Sequence, residues 1–137
     1  MEGLVTSASL AAWLAEPTSR VAVSGASGWI GSAIVDRLLA ALPSLAAPKL
    51  RLFGSAHRTI DIRGRSAPVE PLSQAAELGS GDWLVLHAAI IGTDRVEGGD
   101  PAKVRIVNDA LLTRALALAE RADVRRFVHG ESGAVHR

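Results

Sequence analysis

The segment between residues 20 and 42 joins an apolar run, a glycine-rich turn and a helical pattern. Val21-Ala-Val23 predicts a buried strand, and three glycines follow it: Gly25, Gly28 and Gly31. The helical pattern then comes from Ile34, Val35, Leu38 and Leu42. A helix that begins directly after such a turn presents free N–H groups and a partial positive charge to a bound phosphate. The segment therefore predicts an α/β phosphate cradle, and the alternative is a glycine-rich turn without a ligand.

Each glycine has its own predicted role in the cradle. Gly25 allows the tight turn, Gly28 lets the backbone approach a pyrophosphate, and Gly31 lets the helix pack close to the sheet. The spacing is G-x-x-G-x-x-G, whereas the familiar dinucleotide fingerprint is G-x-G-x-x-G. The interpretation rests on the position of the glycines between a strand and a helix.

Composition limits the classes of protein and partner. The 137 residues suit one domain. The chain has 15 basic and 14 acidic residues, and its net charge of +1 does not indicate binding to nucleic acid or to a membrane surface. There is no cysteine, which excludes a disulfide or thiolate metal site and fits a reducing compartment. The apolar piece 10–15 is too short for a secretory signal or a membrane span, so we expect a soluble cytoplasmic protein.

Strand and helix patterns alternate along the chain. Strands are predicted at 20–24, 50–53, 66–69, 82–87 and 126–129, and long helices at 28–42 and 101–122. Residues 59–63 are expected to form an extended segment or a hairpin, at a position where a βαβ unit usually has a helix. Residues 72–78 are expected to form a short helix. This alternation predicts a Rossmann-type, doubly wound parallel sheet of about five strands in the order 3-2-1-4-5. Residues 20–137 form this domain, and residues 1–19 form an N-terminal helical extension.

The carboxyl ends of three predicted strands carry the candidate site. In doubly wound sheets, ligands lie at the point where the strand order reverses, which here is between the first and fourth strands. The glycine turn, the segment 87–89 and the loop 130–133 each follow the carboxyl end of a predicted strand. They are therefore expected on this edge of the sheet, which we call the rim. We therefore expect these three segments to line one crevice.

Four motifs in order resemble the extended short-chain dehydrogenase/reductase family, the NAD(P)-dependent epimerase/dehydratase proteins. Ser24-Gly-Ala-Ser-Gly-Trp-Ile-Gly31 is similar to the family's T-G-x-x-G-[aromatic]-[I/L]-G turn. Trp83-Leu-Val-Leu-His-Ala-Ala89 is similar to its fourth-strand H-x-A-A segment. Asn108 matches the family's helix asparagine. Residues 127–136 resemble F-V-x-x-S-[S/T]-x-x-V-Y. The resemblance covers residues 20–137 and implies a Rossmann domain that binds NAD or NADP, often in enzymes that act on nucleotide-linked sugars.

The resemblance and the predicted rim together give the candidate cofactor residues. Gly25, Gly28, Trp29 and Ile30 match positions that border the pyrophosphate. The full candidate set is Gly25, Ser27, Gly28, Trp29, Ile30, Gly31, Ser55, His57, Arg58, His87, Ala88, Ala89 and Asn108. His87 ends a buried strand, where a packed, hydrogen-bonded histidine is more common than a catalyst. Asn108 lies on an apolar helix face, so its buried amide needs hydrogen bonds and is expected to tie the fourth and fifth strand ends together.

The segment after the second strand favours NADP over NAD. An acid there would accept the ribose 2′-hydroxyl of NAD. The sequence instead has Gly54-Ser-Ala-His-Arg58, with no acid before Asp61. The hydroxyl and cationic groups of Ser55, His57 and Arg58 suit a 2′-phosphate. The alternative is a solvated basic loop.

The chain departs from the family's catalytic pattern. Ser132 aligns with the catalytic Ser/Thr, which holds the reacting oxygen while a tyrosine, assisted by a lysine four residues later, moves the proton. This sequence has no tyrosine, no Y-x-x-x-K, and reads Val135-His136 where the family has V-Y. Relative to the family, the last strands and the substrate-binding part are also lacking. We expect no catalysis by this chain alone.

Two functional hypotheses remain open, beside a structural domain with no ligand. In the first, the chain is the Rossmann part of an NAD(P)-dependent epimerase, dehydratase or reductase acting on a nucleotide-sugar-like or other carbinol substrate. In the second, it is a non-catalytic dinucleotide-binding sensor or regulatory module. Because 126–129 would be an open sheet edge, we expect a homo-oligomer or a complementing C-terminal half.

Overall fold

The computed structural model describes residues 9–41, 49–74, 78–91, 93–120 and 124–129. Residues 9–14 are helical (α1). Two long helices follow, α2 (Trp29–Ala41) and α3 (Pro101–Glu120). The strands are β1 (Ser19–Ser24), β2 (Leu50–Gly54), β3 (Arg58–Ile62), β4 (Arg65–Pro71), β5 (Asp82–His87) and β6 (Val124–His129). Short 3₁₀ turns occupy Leu72–Gln74, Thr93–Arg95 and Glu97–Gly99.

The strands form one Rossmann-type sheet in the order β3-β4-β2-β1-β5-β6. All neighbouring pairs are parallel except β3 and β4. The predicted order 3-2-1-4-5 is present as β4-β2-β1-β5-β6. The difference in detail is β3, which adds a sixth strand at one edge.

A β-hairpin takes the place of the second crossover helix. Arg63 and Gly64 form its two-residue turn with φ values of 55° and 73°, as a type I′ turn requires. Arg63 also donates to the Asp36 carboxylate of α2 at 2.7 Å, which fastens the hairpin to that helix. The predicted excursion at 59–63 is therefore β3, and the predicted strand 66–69 is β4.

The two faces of the sheet carry separate hydrophobic cores. The α2 face packs β-strand residues against α1 and α2, and Leu14 of α1 is only 1% exposed there. The α3 face packs Phe53, Trp83 and Val85 against Leu118. Because α1 contributes a fully buried side chain, it belongs to the core of the domain.

Helix α3 begins as predicted but buries a narrower face. Pro101 is its first residue, and the Asp100 carboxylate caps it by accepting from the Ala102 N–H at 3.0 Å. The apolar residues at helical spacing along it are Val104, Val107, Leu111, Ala115 and Leu118. Ala115 and Leu118 are buried, whereas Val107 is 37% exposed because it lies at the margin of the side that contacts the sheet. None of the described helices has both the length and the apolar character needed to cross a membrane.

Candidate functional site

The glycine turn lies directly against the loop that follows β5. Gly25 has a φ of 74°, and a Cβ there would lie 2.7 Å from the backbone carbonyl of Ala88 and the nitrogen of Ala89. The Ser24 carbonyl accepts from the Ala88 N–H at 3.0 Å. A side chain at position 25 would therefore both strain the backbone and separate these two segments. Two of the three segments expected at the rim do meet.

Gly31 and Gly28 differ sharply in the space around them. A Cβ on Gly31 would lie 1.8 Å from the Gly25 carbonyl oxygen, so the first turn of α2 rests on the glycine turn itself. A Cβ on Gly28 would meet only that same oxygen, at 3.3 Å. Gly31 is therefore required for packing, whereas Gly28 keeps open the space in front of the helix N-terminus, where free N–H groups attract anions.

The end of β2 forms the neighbouring wall. The Phe53 carbonyl accepts from the N–H groups of Gly25 and Ala26, at 2.8 and 3.1 Å. A Cβ on Gly54 would lie 3.7 Å from the Ser27 hydroxyl oxygen, so position 54 faces the glycine turn. Beyond it, Ser55, His57 and Arg58 are exposed. Arg58 makes no ion pair with any residue in the described ranges.

His87 is a buried histidine joined to the first strand. It is 2% exposed, and its Nδ1 shares a 2.6 Å hydrogen bond with the Ser24 hydroxyl. Its ring stacks on that of His129, with centroids 5.4 Å apart. Burial, and to a smaller extent the electrostatic effect of the neighbouring His129, together lower the pKa of His87 to about 4. The ring is therefore neutral near pH 7 and suits a packing role better than proton transfer.

Asn108 fixes the loop after β5. Its carboxamide oxygen accepts from the Ile91 N–H at 2.8 Å, and its nitrogen donates to the Ile91 carbonyl at 3.1 Å. The amide is hydrogen-bonded as expected, but it ties this loop to α3. The expectation that it ties two strand ends together was wrong, because its partner lies four residues beyond the end of β5.

Trp29 and Ile30 point into solvent at the start of α2. They are 89% and 59% exposed, and they line an apolar groove of about 460 Å³ together with Leu10, Ala33, Ile34, Arg37, Leu38 and Leu86. This groove runs along the side of α2. Ser132, the one candidate catalytic residue, and the rest of the loop 130–133 lie outside the described residues.

The comparison with family models agrees with this geometry. The model described as the NAD dependent epimerase/dehydratase family matches residues 21–136. The chain belongs to this family. The match extends from β1 to beyond the end of β6, and members of this family in general bind NAD(P). Searches of the curated proteins and of the solved structures returned no significant match.

Three features of the candidate site were not predicted from the sequence. These are the Ser24–His87 hydrogen bond, the partnership of Asn108 with Ile91, and the approach of Gly54 to Ser27. Each of these contacts depends on the register between two strands or on the path of a loop. The contact between Ser24 and His87 could be predicted only after β1 and β5 are aligned as parallel neighbours, because the two residues are then paired across the strands.

Proposed function

We propose that this chain is the NADP-binding part of an epimerase-, dehydratase- or reductase-type enzyme that acts on a carbinol substrate such as a nucleotide-linked sugar. We propose further that the chain does not complete the reaction alone, since it has no tyrosine. The absence of cysteine fits a cytoplasmic setting.

The packing around Gly25 and Gly31 carries this proposal. Both glycines are needed to bring the start of α2 and the loop after β5 to the same point. Of the three glycines, Gly28 leaves the most space, since a Cβ there would meet a single atom, at 3.3 Å. Such a cradle fits a pyrophosphate, with Gly25, Ser27, Gly28, Trp29, Ile30 and Gly31 around it and Ala88 and Ala89 beside it. His87 and Asn108 hold that second segment in place.

Replacement of Gly28 tests whether the cradle binds the cofactor. A valine side chain would fill the open space that we assign to the phosphate, so the Gly28→Val variant should bind NADP at least about tenfold more weakly. Trp29 is next to this position and 89% exposed, so NADP should change the tryptophan emission of the native chain. Circular dichroism establishes that the variant is folded. A Trp29→Phe variant shows whether Trp29 is the tryptophan whose emission changes when NADP binds. A native chain with no saturable response to NAD or NADP contradicts the proposal.

The preference for NADP rests on the segment 54–58. Its residues carry no acid that could accept the 2′-hydroxyl of NAD and repel a 2′-phosphate. Ser55, His57 and Arg58 are exposed after β2 and offer a hydroxyl and cationic donors. We infer that Arg58 contributes most, because its guanidinium has no ion-pair partner among the described residues.

An acid at position 54 should reverse this preference. In Gly54→Asp the new Cβ would lie 3.7 Å from the Ser27 hydroxyl oxygen. The carboxylate that it carries should weaken NADP binding by at least about tenfold and strengthen NAD binding. The Cβ would also lie 3.0 Å from Cγ1 of Val69, so Gly54→Asn is the matched control for size. The two dissociation constants are measured by titration calorimetry. An equal NADP to NAD ratio in the Asp and Asn variants would show that position 54 does not select the cofactor.

The missing tyrosine also favours a second candidate, a non-catalytic module that binds the dinucleotide as a sensor or regulatory subunit. The nucleotide sequence after codon 137 separates the two. A continuation in frame that contains Y-x-x-x-K supports the enzyme, and a stop codon together with measured NADP binding supports the sensor.

A further inference from the structure

The Glu70 carboxylate lies beside the segment that we assign to the 2′-phosphate of NADP. Strands β2 and β4 are parallel neighbours, in which Phe53 is paired with Glu70 and Gly54 with Pro71. Glu70 is therefore one residue below the edge at which the segment 54–58 leaves β2, within the roughly 10 Å over which charges interact in dilute salt. An unpaired carboxylate at this place would repel a phosphate.

Arg51 offsets the charge of this carboxylate. Its Nε donates to Oε2 of Glu70 at 3.0 Å, and its Nη2 donates to Oε1 at 2.8 Å. The guanidinium carbon also lies 5.0 Å from the ring centroid of Phe53, a side chain that is 1% exposed. Two parallel hydrogen bonds and a cation–π contact with a buried ring hold the guanidinium in one position, which a solvated surface arginine lacks.

We propose that the Arg51–Glu70 pair is a further determinant of the preference for NADP, because Arg51 cancels a carboxylate charge that would otherwise repel the 2′-phosphate. This inference rests on the proposed function, since it requires the segment 54–58 to receive that phosphate. The affinity for NADP relative to that for NAD then follows the net charge of the pair. NAD is the internal reference, because it has the same pyrophosphate and lacks only the 2′-phosphate.

The ratio of the two affinities separates this charge effect from a structural role of the pair. Arg51 and Glu70 join β2 to β4, and the Phe53 carbonyl of β2 accepts from the N–H groups of Gly25 and Ala26 in the glycine turn. Loss of the pair can therefore disturb the turn that we assign to the pyrophosphate. Such a disturbance weakens NAD and NADP alike, whereas a change of charge beside the 2′-phosphate acts mainly on NADP.

Titration calorimetry of the full chain with NADP and with NAD tests the proposal in three variants. Arg51→Met leaves the Glu70 carboxylate unpaired and should lower the affinity for NADP relative to NAD at least about threefold. Glu70→Gln leaves the arginine charge in excess and should raise this ratio at least about twofold. The double variant has no charge at either position, as the native pair has no net charge, so its ratio should lie within about twofold of the native value.

The matched control is Arg63→Met, which makes the same change in another ion pair. Arg63 Nε lies 2.7 Å from Oδ1 of Asp36, but Arg63 is in the hairpin turn before β4, at the opposite edge of the sheet. This variant should keep the native ratio. A rise in salt from about 50 mM to about 500 mM should reduce the shifts in the other two single variants, because salt screens exposed charges.

The outcomes distinguish this inference from the proposed function. A native chain that binds neither cofactor overturns both. If the native chain binds NADP, an equal loss of both cofactors in Arg51→Met, or a native ratio in Glu70→Gln, overturns the role of the pair and leaves the proposed function in place. Circular dichroism establishes that each variant is folded. If Arg51→Met does not fold, the ratio in Glu70→Gln and its salt dependence decide.

Discussion

Gly31→Ala should unfold or severely destabilise the domain, although it adds a single methyl group to a helix. Its Cβ would lie 1.8 Å from the carbonyl oxygen and 2.6 Å from the carbonyl carbon of Gly25. Neither atom belongs to a flexible side chain, so α2 must move away from the turn. Overpacking of a core typically costs about 1–3 kcal/mol, and we expect the upper end or more here because the clash is with backbone. That is a large part of the about 5–15 kcal/mol by which a domain is stable.

Gly28→Ala is the matched control for this prediction. It makes the same chemical change three residues earlier, where the new Cβ would meet one atom at 3.3 Å. We expect a loss of less than about 1 kcal/mol, typical of a change at the residue that precedes a helix. Urea unfolding of both variants measures the difference in the free energy of unfolding. If the two variants lose similar amounts of stability, the close approach between Gly31 and Gly25 is not what holds α2 in place.

The features predicted correctly from the sequence are those encoded locally. The apolar run 82–87 predicted β5 with its bounds, because a buried parallel strand is apolar on both faces. The helix predicted to begin at residue 101 does begin there, because Pro101 fits the first helical position and the Asp100 carboxylate accepts from a free N–H group. The order of the central five strands followed from the alternation of strands and helices.

The features that were missed depend on contacts between distant segments. Residues 59–63 alternate as a strand does, but only the sheet shows that they pair with β4 at its outer edge. Val107 has the helical spacing of a buried residue, yet it is 37% exposed because it lies at the margin of the side of α3 that contacts the sheet. Asn108 was correctly predicted to be hydrogen-bonded. Its partner, Ile91, could not be predicted because the path of a loop with several glycines is not encoded by periodicity.

The same distinction applies to the site. The glycine spacing predicted a cradle, and the structure adds that Gly31 contacts the turn rather than the sheet. The general position of His87 followed from its strand. The hydrogen bond between His87 and Ser24 could not be predicted in this way, because it depends on the register between β1 and β5. The burial of this ring makes the stability of the protein sensitive to acid.

The stability of the domain should fall as the pH falls from about 7 to about 5, and His87 should account for most of that loss. An ordinary histidine has a pKa near 6.5, whereas burial lowers the pKa of His87 in the folded chain to about 4. Between these values the unfolded chain binds a proton that the folded chain does not, so acid favours unfolding. The physical cause is local: Nε2 of His87 is buried and has no hydrogen-bond partner within the described residues. A proton there would carry a charge that nothing offsets.

The difference in pKa corresponds to about 2 kcal/mol of unfolding free energy between about pH 7 and about pH 5. Urea unfolding at the two pH values should show this loss in the native chain and a much smaller one in His87→Gln. His57→Gln is the matched control, because it makes the same chemical change at a histidine that is exposed. An NMR titration of the native chain provides a second measurement that does not depend on a variant folding. A His87 ring that titrates near 6.5 would contradict the prediction, since it would mean that the folded chain accepts the proton as readily as the unfolded one.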